Sequence, residues 1–533
     1  MKTLAEVFCD WEAVIGLEVH TELTTLNSKV FCPCKVEFGA PPNSQVCPIC
    51  LGIPGTLPVL NRAAIESTVL AGLATNCTIE KQSMFYRKHY FYPDMTKNLQ
   101  ITQGPVAFCM RGGLTLEVLG ASAAERTHLE GTQPVDQSNV NGASPADGYV
   151  TRIGITRIHL EEDAGKLVHI GGESGRISGA DYSLVDYNRC GMGLIELVTE
   201  PDLRTPEEAR LFLQKLRLIY LTLGISDCSM EQGSLRCDGN ISLRRRGTST
   251  FGTKTELKNM NSFKNLHDGL AFEICRQAEL LESGGTVVQE TRHWEPSKNR
   301  TIGMRSKETV ADYYLFPDPD LAPNDLSDAF INEMRSRLPE LPDARIARYV
   351  TTLQLSLADA RILAGDIELA RFFDRALEAA PQTASTQELA KPLANMLINE
   401  VSAYLNAETL SLEQTKLKPE YLLELTQLVL SEEISSKQGK EVLAQVFIQG
   451  VSPAELVEEL GIKQVSNVEE IGAVAQRILD ANPAKVAEYQ AGKTGLLGFF
   501  VGQAMKATDG RANPKLINET FVNLLSKGTE SHG

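Results

Sequence analysis

The chain has 533 residues and a formal net charge of −16, and 42% of its residues are apolar. This length exceeds what one hydrophobic core supports, so we expect two or three domains. The acidic balance argues against general nucleic-acid affinity, which relies on clustered Lys and Arg, and no segment approaches the ~20 apolar residues of a membrane span. The N-terminus lacks the pattern of a secretory signal, so we expect a cytoplasmic protein with no membrane partner.

The first chemical signal along the chain is a predicted strand at residues 12–20. Alternation there places apolar side chains on one face and Glu18 and His20 together on the other. A carboxylate and an imidazole one pleat apart are suited to binding a metal ion. Exposed strand faces are also often polar without any such role, so this strand alone favours the simpler interpretation.

Four cysteines follow at positions 32, 34, 47 and 50. The pair Cys47 and Cys50 has the usual spacing of a zinc knuckle, while the pair Cys32 and Cys34 is one residue short of it. In a cytoplasmic chain, clustered cysteines indicate free thiols or metal ligands before disulfides. The spacing favours a structural zinc site closed by four thiolates, and reduced buried thiols are the alternative.

A third polar segment ends in an acidic turn near residue 163. Alternation groups Arg157 with Glu161 and leaves Glu162 on the opposite face. The strand is expected to end here, so the pattern does not settle which of the two carboxylates points inward.

Two later strands complete this set of polar faces. In the predicted strand at 235–243, Asp238 lies on the polar face and the apolar residues lie on the other. Lys254, Glu256 and Lys258 share one face of the next predicted strand. Carboxylates are ligands that Mg²⁺ prefers, and lysines between them are suited to contacting a phosphate. A salt-bridged solvent face is an equally good interpretation of these residues alone.

The pattern changes near residue 326 to apolar residues spaced three and four apart, which is typical of amphipathic helices. We therefore expect an α+β protein with a mixed-sheet domain at 1–325, an all-α helical domain at 326–405 and an all-α tail domain at 406–533. The polar stretch at 121–148 is predicted to be a mobile loop, to which we assign no role.

The tail carries a local excess of basic residues despite the acidic chain. This excess is either a nucleic-acid contact or a solvated helix face. Its members are Lys493, Lys506, Arg511, Lys515 and Lys527.

An ordered series of motifs runs along nearly the whole chain. The motifs are VIGLEVH (14–20), YFYPD (90–94), HLEEDAGK (159–166), DYNR (186–189), EQGSLRCD (231–238), KTELKNMNS (254–262), QETR (289–292) and FPDPD (316–320). Together they resemble the GatB/GatE family, whose members belong to tRNA-dependent amidotransferases. The later GFFVGQAMK (498–506) and ANP (512–514) resemble the tail domain of that family, which is similar to YqeY proteins.

The resemblance implies a cradle-like catalytic domain, a helical domain and a tail that holds tRNA. It implies that ATP, with Mg²⁺, phosphorylates the side-chain carboxylate of misacylated Glu-tRNA(Gln) or Asp-tRNA(Asn). Ammonia then displaces the phosphate. The expected partners are an amidase-like glutaminase, which releases that ammonia, and a small third protein, which stabilises the assembly and completes a heterotrimer.

The resemblance also implies a set of site residues. The expected metal ligands are Glu18, His20, Glu162, Asp238 and Glu256. It favours Glu162 over Glu161, against the alternation, and it leaves His20 open to acting through water or as a base. We infer Lys254 and Lys258 as catalytic phosphate contacts, with Arg157 as a further candidate for binding the nucleotide.

There are two alternatives, one closely related to this expectation and one of a different class. The archaeal-type GatE proteins contain an inserted synthetase-like domain, for which this chain has no room. A zinc-containing tRNA-binding protein without enzymatic activity would leave the polar strand faces as solvated surface. The four cysteines occur only in some members of the family, so the zinc prediction depends on their spacing here.

Overall fold

The computed structural model describes residues 2–35, 37–119, 148–171, 179–304, 313–381, 385–463, 468–508 and 513–527. The chain divides into two compact units, Met1–Ala344 and Arg345–Gly533. The predicted loop at 121–148 lies outside the described residues except for Gly148, and so does Arg511 of the basic tail set. Within the described ranges, none of the helices has the length and apolar character needed to cross a membrane.

The first unit is built around a mixed sheet of twelve strands. The strands of this unit are Trp11–Glu22 (β1), Thr78–Ile79 (β2), Gln82–Ser83 (β3), Phe85–His89 (β4), Leu99–Gln103 (β5), Cys109–Val118 (β6), Tyr149–Glu162 (β7), Lys166–Ile170 (β8), Tyr182–Asp186 (β9), Gly193–Thr199 (β10), Leu235–Arg245 (β11), Thr255–Lys258 (β12), Thr291–Glu295 (β13), Arg300–Gly303 (β14), Leu315–Pro317 (β15) and Asn324–Asp325 (β16).

The strand order in the main sheet is β14-β13-β12-β11-β1-β10-β7-β5-β4-β15, with β6 beside β7 and β2 beside β6. The strands β3 and β16 form a separate pair, as do β8 and β9. The pairing of β12 with β13 is parallel, and the β1 pairings with β10 and β11 are antiparallel. The first long strand of the chain therefore lies in the middle of the sheet.

Helices cover the apolar face of this sheet. The helices Arg62–Ala74, Pro206–Leu223 and Phe263–Glu282 contribute to the same core as β1. The helix Pro206–Leu223 begins at Thr205, whose side chain accepts a hydrogen bond from the Glu208 N–H, and ends at Gly224 in the left-handed region with φ 67°. A capping hydroxyl and a glycine of this kind fix both ends of a helix. Because these helices occupy one face, the opposite face of β1 is left for polar side chains.

The first unit also contains the short helix Leu4–Val7, the 3₁₀ turn Pro296–Lys298 and the helix Asp328–Ser336. The last of these buries Ile331 and Met334 in the core of the sheet. The predicted three-domain division stays a prediction, and the compact units themselves divide after Ala344.

The helix Pro342–Thr351 spans the division between the two units, and the second unit is helical throughout its described residues. Its further helices are Leu357–Ala364, Ile367–Glu378, Thr386–Asn395, Ser402–Glu408, Pro419–Leu430, Ser436–Gln449, Pro453–Leu460, Val468–Asp480, Pro483–Gln490, Leu497–Ala507 and Pro514–Lys527. A π-helical turn lies at Met396–Val401, and two 3₁₀ turns lie at Leu412–Gln414 and Thr494–Leu496. One core extends from Tyr349 to Val457, and a second gathers Ile471, Phe500 and Phe521. A large mixed sheet followed by helices confirms the predicted α+β class.

Candidate functional site

One face of the sheet carries polar side chains across β13, β12, β11, β1, β10 and β7, which are consecutive neighbours. Glu18 lies opposite Asp238 on β11, and His20 lies opposite Glu196 on β10. Glu196 in turn lies opposite His159 on β7. Residues directly opposite one another share a face, so strands far apart in sequence bring their polar side chains to one surface.

The centre of this surface is a group of three ligating side chains, which we call the carboxylate–histidine cluster: His20, Glu161 and Glu196. One ligand atom from each lies within 4.8 Å of the other two. His20 Nε2 lies 3.2 Å from Glu196 Oε2. His159 flanks the cluster, with its Nε2 3.4 Å from Glu161 Oε2 and 3.6 Å from Glu196 Oε2. Two carboxylates and an imidazole at this spacing are suited to holding a divalent cation.

The pKa values of His20 and Glu196 are shifted in opposite directions. Burial lowers the pKa of His20, but the hydrogen bond to Glu196 and the negative charges of Glu196 and Glu161 outweigh it, so the net pKa is raised. Burial raises the pKa of Glu196, but the hydrogen bond from His20 and the His159 charge lower it to about 2. The raised pKa of His20 and the lowered pKa of Glu196 both favour an imidazolium paired with a carboxylate at this point.

A second group of acidic and basic side chains lies on β11 and β12, on the other side of β1 from β10. Lys258 Nζ lies 2.6 Å from Asp238 Oδ2 and 3.0 Å from Glu256 Oε1. Burial lowers the pKa of Lys258, but Asp238 and Glu256 raise it well above its usual value. Asn240 Nδ2 donates to Glu18 Oε1 at 2.9 Å, which fixes that carboxylate. The ammonium thus lies between two of the predicted metal ligands.

The two remaining predicted cations differ in position. Lys254 precedes β12 and is exposed. Arg157 is half-buried on β7, and its Nη2 lies 3.9 Å from Glu196 Oε1. Arg157 Nε also donates to His159 Nδ1 at 3.4 Å, so this guanidinium borders the cluster.

The two neighbouring glutamates of β7 occupy different environments. Glu161 belongs to the cluster, as alternation predicts. Glu162 is buried elsewhere, where its carboxylate pairs with Lys97 Nζ at 2.5 Å and accepts a hydrogen bond from Ile101 N–H at 2.9 Å. The structure therefore brings Glu161, and not Glu162, to His20 and Glu196. The ligand role that the resemblance implied for Glu162 stays a prediction.

Sequence reasoning missed Glu196 and Lys97. The signal for Glu196 was a single charged residue in the otherwise apolar strand β10. A charge that interrupts an apolar strand is uncommon enough to mark a candidate site.

A buried carboxyl pair at the end of β1 was also missed. Asp163 accepts a hydrogen bond from Arg236 Nη2, and Glu22 Oε1 lies 3.7 Å from the same nitrogen. Burial and the neighbouring Asp163 charge raise the pKa of Glu22 to about 8. Burial raises the pKa of Asp163 as well, but Arg236 and Arg189 lower it to about 2. One proton therefore stays on Glu22 beside an ionised Asp163.

The four cysteines, which we call the four-cysteine site, are reduced and lie together. Their sulfur atoms are within 4.8 Å of one another, and Cys32 and Cys50 are buried. The Cys47 N–H donates to Cys50 Sγ at 3.2 Å. The hydrogen bond from Cys32 lowers the pKa of Cys50 to about 4, while burial and the Cys47 hydrogen bond raise that of Cys34 to about 11. Sulfur atoms this close fit a tetrahedral site with zinc–sulfur bonds of ~2.3 Å, so the site is compatible with structural zinc.

Known proteins resemble this chain over nearly its whole length. Residues 13–332 match the family model of the GatB/GatE catalytic domain, and residues 376–525 match that of the GatB domain. A protein of Carboxydothermus hydrogenoformans, named as the B subunit of an aspartyl/glutamyl-tRNA(Asn/Gln) amidotransferase, is 46% identical, which covers 97% of this chain and 99% of that protein. Proteins of the same name are 45% identical in Acaryochloris marina, covering 98% and 100%, and 46% identical in Brevibacillus brevis, covering 97% and 99%.

Proposed function

The chain belongs to the GatB/GatE family, and we propose that it amidates the glutamate or aspartate of misacylated tRNA in an ATP-dependent reaction. The observation that carries this proposal is the polar sheet face, which carries the carboxylate–histidine cluster and, on β11 and β12, Lys258 with its two carboxylates. Hard oxygen ligands beside fixed cations are what phosphoryl transfer requires.

The chemistry begins with a carboxylate, which is a poor electrophile. Transfer of the γ-phosphoryl group of ATP to that carboxylate releases ADP and gives the carbonyl carbon a leaving group. Ammonia then attacks this carbon, phosphate leaves, and the nitrogen loses a proton. The protein contributes positioning and charge to these steps rather than a covalent bond.

Each group of residues has a proposed part in this reaction. Mg²⁺, when bound, supplies positive charge to the phosphate oxygens. The residues proposed to hold a metal ion form two groups: His20, Glu161 and Glu196 in the cluster, and Glu18, Asp238 and Glu256 on the successive strands β1, β11 and β12. Glu162 is kept from the family resemblance. The residues proposed to contact phosphate are Lys254, Lys258 and Arg157. His20, whose pKa is raised by Glu196, is also placed to hold a proton at its Nε2.

The proposal includes partners. Ammonia is mostly protonated at neutral pH, so we propose that an amidase-like glutaminase delivers it through a passage shielded from water, in a heterotrimer stabilised by a small third protein. The basic residues of the tail are proposed to hold tRNA, although Lys493 is also paired with Glu488 at 3.0 Å. The four-cysteine site is proposed to bind zinc and to support folding, and the cytoplasmic location stays a prediction.

The non-enzymatic alternative is not favoured. A solvated polar face would leave its charged side chains exposed, whereas Glu161 and His159 are buried and Glu196 is half-buried. Burying carboxylates and imidazoles is costly, and such clusters are common where charge is used in chemistry.

Co-purification with the proposed glutaminase and the small third protein allows a direct test of this function. Amide formation on Glu-tRNA(Gln) and on Asp-tRNA(Asn) would be measured with glutamine and ATP, for the wild type, Glu18→Ala, Glu256→Ala and the control Glu80→Ala. Glu80 pairs with Arg111, which is mostly exposed. We expect the two site variants to bind tRNA but form no amide, while the control retains activity. Normal turnover in both site variants would contradict the proposal.

A further inference from the structure

The side chain of Lys29 is buried against the four-cysteine site. Its relative exposure is 0%, and it is among the largest fully buried side chains of the chain. Its ammonium lies 2.9 Å from the Gln45 carbonyl oxygen, 3.4 Å from the Tyr187 carbonyl oxygen and 3.7 Å from Cys50 Sγ. Among the described residues, no carboxylate forms an ion pair with it. Its polar neighbours are two neutral carbonyl groups and a sulfur.

Such an arrangement is costly unless a negative charge is nearby. An isolated ammonium loses several kcal/mol of hydration free energy on burial, and carbonyl groups satisfy its hydrogen bonds without cancelling its charge. A divalent cation held by four thiolates keeps two negative charges in excess. The metal-loaded four-cysteine site, whose Cys50 sulfur lies 3.7 Å from the ammonium, supplies such a negative charge.

We propose that Lys29 is the charge partner of the metal-loaded four-cysteine site and strengthens metal binding through its contact with Cys50. The inference rests on the proposed zinc site. The sulfur of Cys50 also accepts a hydrogen bond from the Cys47 N–H at 3.2 Å. Cys50 is thus the thiolate onto which the excess charge is drawn, with one donor from the backbone and one from Lys29.

The same lysine connects the site to other segments. The Lys29 N–H donates to the Cys34 carbonyl oxygen at 3.0 Å, so residue 29 contacts both cysteine pairs. Its ammonium also reaches Tyr187 in the loop that presents Arg189 to Asp163. A metal that holds the Lys29 ammonium beside Cys50 therefore also keeps its contact with the Tyr187 carbonyl group.

The test compares zinc affinity in the purified full chain. The variants are Lys29→Met, which removes the charge and the donors, and Lys29→Gln, which removes the charge but keeps an amide donor. The control is Lys81→Met, because Lys81 is a mostly exposed lysine paired with Asp328. Competition with a chromophoric chelator should show zinc bound about 10- to 100-fold more weakly by both Lys29 variants, as for other residues that support metal ligands. The control should match the wild type.

Thermal unfolding of the zinc-loaded and zinc-stripped chains gives an independent readout. The rise in Tm caused by zinc should be smaller in both Lys29 variants than in the wild type. In the stripped chain, Lys29→Met should lower the Tm by less than it does in the loaded chain, because the ammonium then faces only the Cys50 thiolate and not the full excess charge of the loaded site. If Lys29→Met does not fold, Lys29→Gln provides the same comparison.

Several outcomes would overturn the inference. Unchanged zinc affinity in both variants would do so, and so would a loss in Lys29→Met alone, which would indicate hydrogen bonding rather than charge. Equal destabilisation of the loaded and stripped chains would indicate a structural lysine. Rapid alkylation of Cys50 in the wild type, lost in the variants, with unchanged zinc affinity, would indicate an ammonium–thiolate pair. If the wild type binds no zinc, the zinc proposal and this inference fail together, whereas the amidation assay is unaffected.

Discussion

The four-cysteine site and the carboxylate–histidine cluster are both groups of metal-ligating side chains, but they are built differently. The four-cysteine site comes from residues 32–50, offers soft sulfur ligands and is closed by a buried lysine. The carboxylate–histidine cluster comes from β1, β7 and β10, offers oxygen and nitrogen, and leaves His20 and Glu196 partly exposed. A closed local site of soft ligands suits folding, and a partly open site of hard ligands suits turnover.

The largest expected effect separates these two roles. Glu196→Ala removes the carboxylate that raises the pKa of His20 and is a candidate metal ligand, so we expect amide formation to fall about 10²- to 10³-fold. Zinc content should not change, because Glu196 does not belong to the four-cysteine site. The measurements are the amidation rate and the metal content of the purified complex. Glu200→Ala is the matched control, since Glu200 is exposed just after the end of β10. A rate within twofold of the wild type would contradict a role of the carboxylate–histidine cluster in turnover.

Removal of zinc should instead lower the thermal stability of the chain. Stripping the metal with a chelator, or replacing Cys32 and Cys50 by Ser, should lower the Tm by about 5 °C or more. A loss of ~2 kcal/mol is enough for this, because each kcal/mol shifts Tm by ~2–4 °C in larger domains. Differential scanning calorimetry would measure the shift, and Cys9→Ser at an exposed cysteine is the control. An unchanged Tm would show that the cysteines are only reduced thiols.

A third prediction concerns Glu22, which borders the polar face. Its pKa is about 8 in the folded chain and 4.5 ordinarily, so the folded state holds an extra proton between these values. Stability should therefore fall as pH rises from about 5 to 8, by about 3–4 kcal/mol. The lowered pKa of Asp163 acts in the opposite sense, but only below its ordinary value of 3.8.

Glu22→Gln should flatten this pH dependence, because its amide replaces the protonated carboxyl and does not titrate. Urea unfolding at pH 5 and pH 8 would measure the difference. Glu80→Gln, at the exposed pair with Arg111, should keep the wild-type slope. A variant with the same slope as the wild type would place the extra proton elsewhere.

The smallest effect is expected outside both groups. Lys264 and Asp268 form an ion pair on the helix Phe263–Glu282, and the Lys264 side chain is 81% exposed. Exposed pairs at this spacing contribute little, so Lys264→Ala should change the free energy of unfolding by less than ~0.5 kcal/mol. A loss above ~1 kcal/mol would show that an ion pair of this protein can contribute strongly to the free energy of unfolding without being buried.

The two groups also differ in how far the sequence predicts them. Spacing alone predicted the four-cysteine site, because its ligands lie close together along the chain. Alternation predicted that Glu18, His20 and Asp238 occupy polar strand faces, and the strand pairings place these faces side by side. The fold class and the family were predicted from the sequence and are confirmed.

The contacts of Glu196 and Glu162 could not be predicted, because they depend on the order of the strands in the sheet. Local sequence patterns do not determine that order. Glu196 joins the cluster because β10 pairs with both β1 and β7, and this pairing is set by the packing of the whole sheet. The pairing of Glu162 with Lys97 joins two segments far apart in sequence in the same way. The helix Asp328–Ser336 belongs to the core of the sheet although its own pattern is that of the helices that follow.

The central position of β1 has a consequence for synthesis. This strand leaves the ribosome well before its neighbours β10 and β11, which begin only at Gly193 and Leu235. At ~5–20 residues per second, β1 stays without its last neighbour for roughly 10–45 s. During that interval both of its edges and its apolar residues are open to pairing with other chains. Nascent-chain protection by chaperones therefore matters most between the synthesis of β1 and that of β11.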